Sequence, residues 1–461
     1  MIQLRTLAPQ NHVKPSAITS LKLLLRSAVK WTLVLLGGPV LIACSSAPTV
    51  PAEQAPAAQV CPVSISPMME CLRGVDSAKA HYLIVIPPQW SGVLVVHTHG
   101  GPPLGEPKAS RADEDFKRWA ITTQQGHAWA GSVFHQGGFA VRSAAEDSER
   151  LRRIFVDHVA KPRRTLLHGQ SWGAAVAAKA AEMFPASWDG VLLTSGVVAG
   201  SSTYDFRLDL RVVYQQLCNN HPRHDEPSYP LNIGLPANSS LTRAELERRV
   251  DACLGLHLSE TQRTAAQMRA IQTITNVIRI PASAIQGHLN WATWALQDVV
   301  NKAGGNSPLG NQNVRYIGSE DDIALNKAVL RFQPNAAAKA WFEADTNHTG
   351  QFRLPVLSAH GISDATVFVE SQENLRSRMT QAGTADWLVQ TYVDSSEHSY
   401  WGDAMYPPLF SALLDWVEKG TVPSPRGIAD KCRSMALPNI ERCRFVPDYV
   451  VKPMASRIAP R

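Results

Sequence analysis

Ser171 lies between two glycines in Gly169-Gln170-Ser171-Trp172-Gly173, after the apolar run Arg164–His168 and before the alanine-rich stretch Ala174–Phe184. This pattern predicts a strand, a sharp turn and a helix in that order. The glycines let the backbone turn tightly enough to expose the serine Oγ, with the Trp172 amide and the helix N-terminus beside it. A serine hydroxyl attacks a carbonyl only when a neighbouring base takes its proton, so an acid and a histidine must reach the same place. Two later segments can supply them. Leu354–Gly361 reads as a buried strand followed by Ile362-Ser363-Asp364, and Trp387–Val393 reads as a second strand followed by Asp394-Ser395-Ser396-Glu397-His398.

Nucleophile, acid and histidine therefore each follow a predicted strand, in the chain order Ser…Asp…His. The expected roles are Ser171 as nucleophile, His398 as general base and then acid, and Asp364 as the group that orients the imidazole. His360 shares a strand with Asp364 and is expected to pack in the core. Glu397 and Asp394 share the loop of His398, whereas the acid is expected from the preceding strand. Upstream, the strand Gly92–Val96 runs into His97-Thr98-His99-Gly100-Gly101-Pro102-Pro103. Glycines there let a backbone amide approach a substrate, so Gly100, Gly101 and Trp172 are the expected donors to a tetrahedral oxyanion.

These motifs resemble the α/β-hydrolase superfamily, over about residues 60–419. His99-Gly100-Gly101-Pro102 with Gly169-Gln170-Ser171-Trp172-Gly173 is similar to the proline iminopeptidase branch. Pro103 departs from that branch's final glycine, and Phe134–Phe139 replaces its D-x-R-G sequence. The stretch from Asn313 to Asp322 looks more like secreted bacterial hydrolases. The resemblance implies a serine hydrolase acting on a carboxylic ester or, alternatively, an aminopeptidase; a non-catalytic binding lipoprotein is the third class. A peptidase would need acidic residues to hold a free amine, for which Glu320, Asp321 and Asp322 are the candidates; an acidic cluster at a helix start is their commoner explanation.

The elements that position these residues alternate strand and helix, which predicts an α/β fold with a mostly parallel sheet and helices on both faces. The expected divisions are a first core half at 60–200, a mostly helical lid at 201–352, a second core half at 353–420 and an irregular extension at 421–461. Thr242–Glu245 and Ser259–Gln262 are capping-box sequences, each expected to open a lid helix. Trp291 and Trp294 are expected to serve packing.

Residues 1–43 read as an export signal: five basic residues and no acidic one, then the apolar Trp31–Ile42, too short for a comfortable membrane span. Leu41-Ile42-Ala43-Cys44 resembles a bacterial lipobox, which implies lipid on Cys44. Ser45 at the next position implies outer-membrane sorting, with 44–59 as a flexible tether. Of seven cysteines, six then remain for disulfides in an oxidising compartment. Sequence leaves the pairing open, and local pairs (Cys61–Cys71, Cys218–Cys253, Cys432–Cys443) assume least. The net charge of +6 falls to about +1 without the signal, which gives no basis for nucleic-acid binding. No phosphate loop, dinucleotide fingerprint or metal-ligand cluster occurs, so no cofactor and no metal are expected.

Overall fold

The computed structural model describes residues 52–62, 68–435 and 442–461; the expected signal, Cys44 and the first part of the tether lie outside them. Nine strands form one sheet: β1 Ala57–Gln59, β2 Glu70–Val75, β3 His81–Ile86, β4 Val93–Thr98, β5 Ala128–Ser132, β6 Arg164–Gln170, β7 Gly190–Thr194, β8 Val356–Gly361 and β9 Leu388–Val393. Their spatial order is β1-β2-β3-β5-β4-β6-β7-β8-β9. The first strands pair antiparallel as far as the β3–β5 contact, and every pair from β5–β4 to β8–β9 is parallel. This is the α/β-hydrolase fold.

The central strands are apolar along their whole length because both faces are covered. Leu94, Val96, Leu167 and Val191 pack with the helices Val141–His158 and Trp172–Met183. Val93, Val95, Leu166 and Leu192 pack on the other face with Phe116, Trp119, Leu409 and Leu413, from the helices Arg111–Trp119 and Tyr406–Lys419.

Between β7 and β8 the chain forms a mostly helical insertion, with no strand among its described elements. It is fastened to the core: Lys179, half-way along the helix after Ser171, donates to the carbonyls of Ala344 and Asn347. Trp291 stacks on Tyr204 and meets Phe139 edge-on, and Arg243 lies over Trp294, so both tryptophans pack. The three local disulfides form.

Three sequence expectations need correction. The tether does not extend to residue 59: Ala57–Gln59 pairs with β2, and the Glu53 carboxylate accepts from the amide and hydroxyl of Ser77. An edge strand's free backbone groups recruit a neighbour without needing apolar side chains, so composition could not reveal this pairing. The Ser259 capping box closes only the short turn Glu260–Gln262, and the long helix Ala265–Ile278 begins at its own box, Thr264 with Gln267. The extension is not wholly irregular: Ser424 caps a helix, Pro425–Ser434, with proline in its first turn, where a missing N–H costs nothing.

Candidate active site

β4 and β6 are parallel neighbours with Thr98 opposite Gly169, so the glycine loop and the Ser171 turn leave the sheet side by side. β4 also has β5 on its other side, so the crossovers diverge here. Such a reversal opens a crevice at the carboxyl ends of the strands.

The Ser171 turn is sterically dictated. Ser171 has φ +57° and ψ −123°, a conformation that costs an L-residue about 1–3 kcal/mol unless its surroundings hold it. They do: its amide donates to Thr194 O at 3.0 Å, and its carbonyl accepts from Val197 N at 2.9 Å. A Cβ on Gly169 would lie 2.5 Å from Gly173 O, and one on Gly173 would lie 2.0 Å from Thr98 O. Both glycines are therefore required by close backbone approach. The Thr98 hydroxyl donates to Gly173 O at 2.7 Å, tying the turn to β4.

β8 and β9 bring the remaining groups. His398 Nε2 lies 2.7 Å from Ser171 Oγ, and His398 Nδ1 lies 2.7 Å from Asp364 Oδ2. An ionised carboxylate only accepts, so Nδ1 carries the ring proton and the Nε2 lone pair faces the serine hydroxyl. The other Asp364 oxygen accepts from the amides of Thr366 and Val367 at 2.8 and 3.1 Å. Asp364 and Ser171 are buried. An imidazole so held can take the serine proton while the carboxylate stabilises the resulting charge. Serine, histidine and aspartate expected from three distant segments thus meet in one hydrogen-bonded line.

Four of the competitors have other partners. His360 is fully buried, places Nε2 2.8 Å from Val367 O and accepts at Nδ1 from Gln372. Glu397 pairs with Arg444. Asp321 caps the helix Asp322–Ala328 by accepting from Ala324 N, and Asp322 accepts from the amides of Gly318 and Ser319. Those carboxylates serve a helix start.

Gly100 and Gly101 follow β4 beside the serine turn. A Cβ on Gly100 would lie 2.2 Å from Gln170 Oε1, and Gly101 has φ +65°. The Trp172 amide begins the helix after the serine, while its buried indole packs against Phe134 and Phe139.

Sequence reasoning missed three basic residues. Arg111 donates to Gly100 O at 2.9 Å. Arg207 and His288, both on the insertion, meet the carbonyls that follow Asp364. Arg207 donates to Thr366 O at 3.2 Å, and His288 Nε2 lies 2.8 Å from Ala365 O. Burial, reinforced by the nearby guanidinium, holds His288 down at about 3, so it is a neutral donor. Arg207 is buried among the rings of Tyr204, Phe206 and Trp291. It forms no ion pair among the described residues. Basic residues at helical spacing carry no sign of such a target, because the contacts span up to 159 positions.

Among the described residues, no group of three or more His, Cys, Asp or Glu is placed to hold a metal. No helix among them is long and apolar enough to cross a membrane.

No protein-family model matches the chain, and no curated protein matches it. Solved structures similar to it include an esterase from Aspergillus oryzae, 13% identical, covering 77% of this chain and 81% of that one with a TM-score of 0.44. Feruloyl esterase B from Aspergillus oryzae is 16% identical, covering 81% and 87% with a TM-score of 0.41. Tannin acyl hydrolase from Aspergillus niger is 13% identical, covering 81% and 83% with a TM-score of 0.43.

Proposed function

We propose that this protein is a serine hydrolase that cleaves a carboxylic ester through an acyl-enzyme. The observation that carries the reading is the Asp364–His398–Ser171 line, with 2.7 Å at both links. His398 Nε2 takes the Ser171 proton as Oγ bonds to the ester carbonyl carbon. The carbonyl oxygen becomes an oxyanion, met by the Trp172 amide and the glycine loop. Collapse breaks the bond to the alkoxy oxygen, which leaves as an alcohol with the proton from His398. A water then gives one proton to His398 and its hydroxyl to the acyl carbon. Breakdown of that second intermediate releases the carboxylic acid and returns the proton to Ser171.

An ester is favoured over an N-terminal peptide bond because the proposed amine anchor is spent elsewhere: Asp321 and Asp322 bind backbone amides of their own helix start. A purified sample should hydrolyse p-nitrophenyl acetate and butyrate at least 100-fold faster than aminoacyl p-nitroanilides, a margin of about 2.7 kcal/mol. Faster turnover of the anilides would overturn the ester assignment.

The setting proposed from sequence is a lipid-anchored protein of the cell envelope, held through Cys44 at the outer membrane, with the insertion acting as a lid that selects the acyl or alcohol group. Mass spectrometry of membrane-extracted protein should find diacylglyceryl on Cys44; a soluble product cleaved elsewhere would contradict the anchor.

A further inference from the structure

The loop after β4 offers few amides to a substrate. Pro102 and Pro103 have none, which leaves Gly100 and Gly101 as its glycine donors. The peptide joining these two residues is held at its carbonyl. Gly100 O accepts from Arg111 Nη2 at 2.9 Å and lies 3.2 Å from Nδ1 of its own neighbour His99, so Arg111 is the tie from outside the loop. The same guanidinium donates through Nε to Asp115 Oδ2 at 3.1 Å, and Asp115 is buried. One planar group is thus pegged at two points, a rigid fork that the point charge of an ammonium does not reproduce.

In a trans peptide the N–H points opposite to the C=O. Arg111 on the carbonyl therefore turns the Gly101 N–H away from the helix Arg111–Trp119. That N–H has no acceptor among the described residues. The backbone is also open beside it: a Cβ on Gly101 would meet nothing within 4 Å. A peptide flanked by two glycines flips easily, since neither residue is confined to negative φ. Once flipped, its carbonyl oxygen would occupy the place of the donor and repel a developing oxyanion.

We infer that Gly101 N–H is the oxyanion donor of this loop and that Arg111 is a positioning residue that locks the Gly100–Gly101 peptide in its donating orientation. The inference rests on the serine-hydrolase reading above. Arg111 touches no reacting atom. It holds a dipole in place before the reaction begins, so its contribution belongs to the transition state and not to ground-state binding.

The test is steady-state hydrolysis of p-nitrophenyl acetate by the full chain, wild type beside Arg111→Ala, Arg111→Lys and Ser171→Ala. Arg111→Ala should lower kcat by about 100-fold, the order of one lost oxyanion donor, with KM within about twofold. Arg111→Lys should fall between, because an ammonium on a flexible stem can donate to Gly100 O but does not hold it in the fixed fork that Asp115 orients. Inhibition by phenylboronic acid, which adds to the serine as a tetrahedral anion, should weaken in step with kcat, while the thermal midpoint of Arg111→Lys stays at the wild-type value. If Arg111→Ala does not fold, the kcat–KM split and boronate affinity of Arg111→Lys decide the matter. Unchanged kcat, or a raised KM at constant kcat, would overturn the inference. If wild type fails on esters, or Ser171→Ala keeps its rate, the serine-hydrolase reading itself falls, and the Arg111 result is then read from the boronate affinity as a test of anion binding at Gly101.

Discussion

The two halves of the site are held by different parts of the molecule. Ser171 is fixed entirely within the core: its turn is clamped by β7 through Thr194, by β4 through Thr98, and by glycine contacts that admit no side chain. The Asp364 loop depends on the insertion. Two of its carbonyls meet Arg207 and His288, both on helices between β7 and β8. The Ser171 turn therefore draws its supports from the sheet, whereas the Asp364 loop draws two of its own from the insertion. A fold divided in this way can vary its insertion for different substrates without rebuilding the serine turn.

The sharpest break is chemical. Asp364→Asn should lower kcat for p-nitrophenyl acetate by about 10⁴-fold, because the amide favours the wrong histidine tautomer. The Ser171 half should remain folded, with near-wild-type circular dichroism. A loss of structure would show that the halves are not separable. Gly173→Ala attacks the other half, since its Cβ would collide with Thr98 O. We expect loss of folding or a drop of more than about 3 kcal/mol in urea-unfolding free energy, above the usual range for overpacking because the obstacle is backbone. A variant of wild-type stability would refute the steric account of the turn.

A smaller effect probes the support from the insertion. Arg207→Met keeps the packing against Tyr204, Phe206 and Trp291 but removes the donor to Thr366 O. A slight shift of the acid loop should cost about 10- to 100-fold in kcat. Hydrolysis that is unchanged would show that the insertion does not align the acid.

The serine turn was legible in the sequence because its causes are local: two glycines, a strand before and a helix after. Asp364 and His398 were legible from their places after apolar runs. The supports were not. Arg111, Arg207 and His288 act through backbone carbonyls, which every residue possesses, so nothing at the target marks the partner. The pairing of Ala57–Gln59 with β2 escaped for the same reason. Asp321 and Asp322 show the converse: the pattern fitted both an amine anchor and a helix start, and only the bonds to Gly318, Ser319 and Ala324 separate them.

A further effect concerns pH and the buried core histidines. Burial depresses His168 to about 3 and His127 to about 4, and His97, its Nδ1 3.0 Å from His168 Nδ1, is also held well below the ordinary value. Each stays neutral when folded but takes a proton when unfolded below about pH 6.5. Their contribution is thus complete above that pH and is lost as pH falls toward the folded values. The loss is about 1.4 kcal/mol per pH unit for each group. Asp205, raised to about 6 by burial, opposes this together with Asp115 and Asp209, which burial also raises. Urea midpoints should fall between pH 7 and pH 5, and less steeply in His168→Asn; a flat profile would mean that these histidines are charged in the core.

The account stands on Ser171 as an activated nucleophile. Treating wild type and Ser171→Ala with a fluorophosphonate and mapping the peptides by mass spectrometry tests it most directly. A single phosphonyl adduct on the peptide containing Ser171, absent from the folded alanine variant, is the predicted result. No adduct in wild type, or equal labelling of both proteins at another residue, would contradict it.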